Sequence, residues 1–255
     1  MANTTTEVST SSQTNSSSSA SKAAPTAPAE SQQRRTIATY AVLVGLTPLI
    51  PVPFVDDVVE GALVRRFVGA LAASRGVTLS DAEVRALSFG SDGGVFKKIA
   101  RGVVVYPLKK LFRKTFFFLE GKRVVDLASL TFCRGYLLDV AFERGWAGPG
   151  VAGAPVLEAI EKACREAGTS PVEHAVRAAF NGSRAAFTGA IEGLTRAIKR
   201  AKGTPDEAAA EAAREASAGA ATPVERKLEE TLRAVPAEYF KRLTQAFATA
   251  LGKSL

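Results

Sequence analysis

The chain reads as an all-α protein, an irregular multi-helix bundle behind a disordered N-terminal leader, and three observations carry that reading. The 255 residues are rich in Ala, Leu, Val, Arg, Glu and Lys, with only four Tyr and one Trp, a composition that favours helices. Apolar side chains recur at three- and four-residue spacing over long stretches, without the strict alternation of strands. Glycines and prolines fall where such stretches start and stop.

Residues 1–35 are Ser, Thr, Ala, Gln and Pro with few charges, too poor in large apolar side chains to offset the entropy of ordering. They read as a flexible leader, and they lack the basic start, apolar run and small-residue cleavage site of a secretory signal. Arg34 and Arg35 precede an apolar run, but no small-residue cleavage site closes it before Asp56, so a twin-arginine reading is not adopted. Cys133 and Cys164 alone make no disulfide framework, which fits a reducing compartment.

From Thr36 to Val55 twenty residues pass without a charge, the usual length of a membrane span. Pro48, Pro51 and Pro53 limit an unbroken helix to Thr36–Thr47. That piece reaches about 18 Å against a hydrocarbon core of about 30 Å. The run is therefore open to three readings: a span, a part-way insertion, or a segment buried in the protein's own core.

Asp56 and Asp57 then mark a helix start, with Val59, Leu63, Phe67, Ala70 and Leu71 on one face and Gly76 as the stop. Ser80 and Glu83 form a capping box for a short helix through about Phe89, and Gly90, Gly93 and Gly94 break the chain. The acidic pair is read as a helix start and not as a metal or catalytic site, because no histidine lies nearby in sequence.

Pro51-Val-Pro-Phe54, Asp56-Asp57, and a long helix closing on Leu71-Ala-Ala-Ser-Arg-Gly76 give residues 37–90 a pattern that resembles the helical segment of EcsC-type proteins and of related bacterial domains fused to small GTPases. The resemblance implies a helical, membrane-associated bacterial protein without an assigned reaction. The chain lacks the glycine-rich apolar hairpin of the EcsC pattern and has no GTPase domain, so no nucleotide-linked function is carried over.

The most informative stretch is Val95–Arg123, VFKKIARGVVVYPLKKLFRKTFFFLEGKR. Lys97, Lys98, Arg101, Lys109, Lys110, Arg113, Lys114, Lys122 and Arg123 against Glu120 match the +8 formal charge of the entire chain. Drawn as a helix broken at Pro107, Val95, Phe96, Ile99, Val103 and Tyr106 face away from Lys97, Lys98 and Arg101; beyond it, Leu108, Leu111, Phe112, Phe118 and Leu119 oppose Lys109, Lys110, Arg113 and Lys114. Phe116, Phe117 and Phe118 fan round most of a turn, so one ring is left for another surface to cover. Long cationic side chains among lipid phosphates, with phenylalanines in the boundary, suit an anionic membrane surface. Each Lys or Arg is worth about 1 kcal/mol there. The predicted membrane- or anion-binding residues are Lys97, Lys98, Arg101, Lys109, Lys110, Arg113, Lys114, Phe112, Phe116, Phe117 and Phe118. A charged helix face on any soluble protein is the plainer reading. Nucleic-acid binding fits less well, since these rings lie among Leu, Val and Ile and no nucleic-acid motif is present.

Residues 36–146 thus read as a helical, membrane-associating half. In it Val124–Phe142 carries Asp126, Arg134 and Asp139, which argues for a helix buried against protein with its charges paired. A Gly/Pro-rich joint at 147–155, anchored by Trp146, leads to a helical C-terminal half, 156–255. Val156–Ala167 and Val172–Ala201 read as amphipathic helices, the second started by Ser170-Pro171 and striped by Phe180, Phe187, Ile191, Leu194 and Ile198. The Ala-rich stretch 204–221 reads as an exposed helix or a loosely held linker. Leu228, Leu232, Tyr239, Phe240, Leu243, Phe247 and Leu251 mark two closing helices parted at Pro236.

No catalytic residues, cofactor or metal are predicted. His174 is the only histidine and reads as a surface or capping residue, Cys133 and Cys164 as core-filling thiols, and Gly121-Lys122-Arg123 lacks the spacing of a phosphate-binding loop. The expectation is a non-enzymatic scaffold at the cytoplasmic face of a membrane, peripheral or with a re-entrant segment, with a protein partner for its C-terminal helices. The alternatives are a hydrolytic or lipid-modifying enzyme that gathers Asp56, Asp57, Asp126, Asp139, Cys133 and His174 in one pocket, and a nucleic-acid-binding protein.

Overall fold

A computed structural model describes residues 1–2, 27–49, 56–89, 113–182, 189, 191–193, 195–196, 204–215 and 222–254. The described residues form α-helices joined by turns: α1 (Ala27–Leu46), α2 (Asp56–Ser74), α3 (Asp81–Ala86), α4 (Arg113–Glu143), α5 (Gly153–Ala167), α6 (Ser170–Asn181), α7 (Pro205–Glu215), α8 (Thr222–Leu232) and α9 (Ala237–Ala250), with a 3-10 turn at Thr47–Leu49. The fold is all-α.

The described part of the uncharged run after Arg35 lies in the core of the described helices. Ile37, Ala38, Ala41, Val42, Leu43, Val44 and Leu46 are all buried, as expected of a helix that is apolar on every side. α4 lies along α1, with α2 and α8 on its flanks. Gly45 allows the close approach of α1 and α4, because a Cβ there would stand 2.7 Å from that of Ala128. Tyr40 stacks on Phe67 of α2 at 5.0 Å between ring centres. Pro48 ends α1, and the Thr47 hydroxyl donates to the Val44 carbonyl at 2.8 Å. Of the three readings of Thr36–Val55, the described part therefore takes the third: its apolar side chains are covered by protein. Among the described residues no helix is long and apolar enough to cross a membrane.

Helix α2 begins at Asp56 and buries Val59, Leu63, Phe67 and Leu71 completely. Gly76, at φ 70°, provides the left-handed residue that closes it, and the Val77 amide donates back to Ala72. α3 has the expected capping box: the Glu83 amide donates to the Ser80 hydroxyl, and the Ser80 amide donates to the Glu83 carboxylate at 2.8 Å. The same carboxylate accepts from the Gly150 amide at 2.8 Å, which ties α3 to the Gly/Pro turn before α5.

α4 runs unbroken for 31 residues, about 46 Å at roughly 1.5 Å per residue. The last residues of the basic stretch and the buried helix beyond Val124 are thus one rod, since Gly121 weakens a helix without stopping it. Lys122 and Arg123 are exposed and Val124 and Ala128 buried. Asp139 and Arg134 do pair, but with other elements: Asp139 with Arg75, and Arg134 with Glu161 of α5 at 2.6 Å. Asp126 is exposed.

The joint at 147–155 does not separate two cores. One continuous apolar cluster runs from Ile37 through Phe142 to Phe247. α9 lies on α5, α6 on α4 and α8 on both α6 and α1, and Trp146 meets Phe247 with ring centres 5.7 Å apart. Leu228, Tyr239, Leu243 and Phe247 are buried on the two closing helices, as their spacing predicts. The Ala-rich stretch departs from a loose linker: Pro205–Glu215 is a helix packed on α2. Ala209 and Ala212 are fully covered, because side chains this small let the two helices touch. Thr204 and Glu207 cap its start reciprocally. α6 ends at Asn181; Phe180 and Ile191 pack against the core, and Phe187, Leu194 and Ile198 lie outside the described residues.

Candidate functional site

Lys97, Lys98, Arg101, Lys109, Lys110 and Phe112 lie outside the described residues, and Arg113, Lys114, Phe116, Phe117 and Phe118 are placed only as backbone of the first turns of α4. The arrangement therefore attaches the end of the basic stretch rigidly to the helix that lines α1, and exposes Lys122 and Arg123 just before that helix enters the core.

A second cationic feature sits where α2, α3 and α7 meet. An open cleft of about 270 Å³ is lined by Ala62, Arg65, Arg66, Asp81, Val84, Arg85 and Asp206. The guanidinium of Arg65 donates to Asp206 Oδ1 at 2.8 Å across the mouth, and Arg66 lies beside the hydroxyl of Tyr40. Arg85 has no ion-pair partner among the described residues. Burial pushes the Tyr40 phenol up despite that arginine, so it stays protonated at neutral pH. The Gly76 stop and the Ser80 cap imply that α3 folds back near α2. Nothing local in sequence signals Asp206, 141 positions from Arg65.

The described residues that an enzymatic reading needs sit in different settings. His174 is exposed on α6, its Nδ1 2.8 Å from the Ser170 carbonyl. Asp139 is engaged by Arg75, with Nε to Oδ1 at 2.8 Å and Nη2 to Oδ2 at 2.7 Å. Asp126 lies at the surface, its carboxyl raised by partial desolvation and by Glu173 against the pull of Lys122 and Arg177. Cys133 and Cys164 are buried, and desolvation raises their thiols to about 11 and about 12. The Tyr239 hydroxyl donates to the Gly168 carbonyl at 2.8 Å and lies 3.3 Å from the Cys133 sulfur, and burial holds its own pKa well above the usual range. Thiols raised this far are almost wholly protonated at neutral pH. The side chains of Asp56 and Asp57 lie outside the described residues, and among those described no group of three His, Cys, Asp or Glu is placed to hold a metal ion.

Comparisons with protein-family models, curated proteins and solved structures return no significant match.

Proposed function

We propose that this is a non-enzymatic helical protein that attaches peripherally to an anionic membrane surface through Lys97, Lys98, Arg101, Lys109, Lys110, Arg113, Lys114 and the phenylalanines at 112 and 116–118, and serves there as a scaffold. The observation that carries the reading is the coincidence of the whole net charge with the aromatic stretch 95–123. Two features of the fold support attachment over insertion. The apolar run that would insert is occupied in the core from Ile37 to Leu46. Among the described residues, the large apolar side chains left exposed are Met1, Val58 and Val151, too few for an extended apolar patch. The raised thiols and the isolated His174 support the non-enzymatic part of the reading. The resemblance of residues 37–90 to EcsC-type segments agrees with it.

Fractionation of cells producing the full chain tests this. The protein should sediment with membranes, withstand nuclease treatment and be released by high salt. Retention through both high-salt and carbonate washes would mean insertion, and release by nuclease would mean a nucleic-acid partner.

A further inference from the structure

The cleft between α2, α3 and α7 brings three arginines together among the described residues. Arg65, Arg66 and Arg85 line a space of about 270 Å³ together with Asp81 and Asp206, and Arg65 reaches Asp206 across it. Only Arg65 has a carboxylate ion pair there; Arg66 has a phenol for company and Arg85 has no ion-pair partner among the described residues. Asp206 itself is largely in solvent, with its side chain 71 % exposed. An exposed carboxylate in high dielectric holds its arginine weakly, so an incoming dianion can displace it. Arginine presents a planar fork that matches two oxygens of one phosphate, which lysine does not. Ala62 and Val84 add apolar wall to the same space.

We propose that this cleft binds a phosphomonoester or pyrophosphate group. Arg66 and Arg85 clasp its oxygens, and Arg65 is shared between the ligand and Asp206. Binding then loosens the tie between α2 and α7, so that ligand occupancy is coupled to the seating of the Ala-rich helix. The residues that line the site all come from outside the 95–123 stretch, and the proposal does not rest on membrane attachment. The same group could arrive free in solution or on a lipid headgroup.

Titration calorimetry with inorganic pyrophosphate and flotation with vesicles carrying phosphatidic acid tell the two sources apart. Each is run on the full chain, on Arg85→Gln, on Arg66→Lys and on Asp206→Asn, with folding checked by circular dichroism. Loss of one charged hydrogen-bond pair should weaken binding roughly tenfold in Arg85→Gln. Arg66→Lys, which keeps the charge and loses the fork, should weaken it less, and Asp206→Asn should tighten it. Saturable binding of pyrophosphate with that ranking supports the site with a soluble ligand. The same ranking only on phosphatidic acid vesicles supports it with a headgroup. Equal behaviour of all four proteins, or no binding in either arm, overturns it. Vesicles of phosphatidylglycerol, a diester, should bind wild type and Arg85→Gln alike. A loss there would show diffuse charge and not a phosphomonoester site, and would also overturn it.

Discussion

Arg75, on the turn that closes α2, grips Asp139 of α4 with both arms of its guanidinium, Nε to Oδ1 at 2.8 Å and Nη2 to Oδ2 at 2.7 Å. The two side chains are 13 % and 11 % exposed, and Glu143 touches the same arginine from the rim at 3.3 Å. A paired charge this well covered is expensive to orphan. Asp139→Ala should therefore destabilise the fold by about 3 kcal/mol, read by urea unfolding. Glu143→Ala, at a side chain 41 % exposed, should cost about 0.5 kcal/mol. Equal effects would mean that the bidentate pair does not hold α2 to α4.

Gly135 faces the ring of Phe67. A Cβ there would fall inside the ring's edge, 2.8 Å from Cε1 and 3.3 Å from Ile37 Cγ2. Phe67 is fully buried and stacked on Tyr40, so it has nowhere to move. Gly135→Ala should destabilise by about 1–3 kcal/mol, although alanine is the better helix former. Gly69→Ala on α2, with nothing within 4 Å of the added carbon, is the control and should be neutral or mildly stabilising. A Gly135→Ala variant as stable as its parent would refute this packing.

Glu225 of α8 faces α1 with one carboxylate oxygen, Oε1, buried and unpartnered. Burial raises its carboxyl above the ordinary range, against the pull of Thr39 and Arg35, and Glu229 adds to the rise. A folded-state pKa above the unfolded value means that the folded state binds the proton more tightly. This group therefore favours folding below its unfolded pKa of about 4.3 and increasingly opposes it as pH rises through the folded value. Glu225→Gln should raise the melting temperature at neutral pH, with the gain shrinking as pH falls toward 4. A gain that is flat with pH, or a loss at pH 7, would show that the charged form is well solvated.

With their thiols at about 11 and about 12, Cys133 and Cys164 carry at pH 8 roughly one thiolate in a thousand or fewer. Both are also sealed in the core. The native protein should resist maleimide at pH 8, and both sulfurs should react once denaturant is added, as counted by mass spectrometry. Rapid labelling of the folded protein would mean that α4 and α5 open far more readily than their packing implies.

What was legible in the sequence is what is written locally. Ser80 and Glu83 are three residues apart and make their cap as read; Gly76 stops α2; Leu63 and Phe67 share a turn and are buried. Contacts between distant parts of the chain carry no such mark. Arg75 is 64 positions from Asp139, Cys133 106 from Tyr239 and Arg65 141 from Asp206, and each is fixed by how whole helices stack. The Ala-rich stretch looked loose because alanine contributes little burial by itself. It is held because small side chains let α7 sit close on α2. The uncharged run at Thr36 has the composition both of a membrane segment and of a central core helix, and only its neighbours decide between them. α4 passes from a cationic stretch to a buried one without a break because the change is in what surrounds the helix, not in its backbone.

Flotation with vesicles is the decisive measurement for the proposed role. The full-length protein is mixed with phosphatidylcholine vesicles, with and without phosphatidylglycerol, at low and high salt, beside a variant with Lys97, Lys98, Arg101, Lys109, Lys110, Arg113 and Lys114 changed to Gln. Recovery with the anionic vesicles only, abolished by salt and by the seven substitutions, is the predicted result, since screening shortens the reach of exposed charges to a few ångströms. Equal recovery from neutral and anionic vesicles, or none from either, would contradict attachment through the basic stretch.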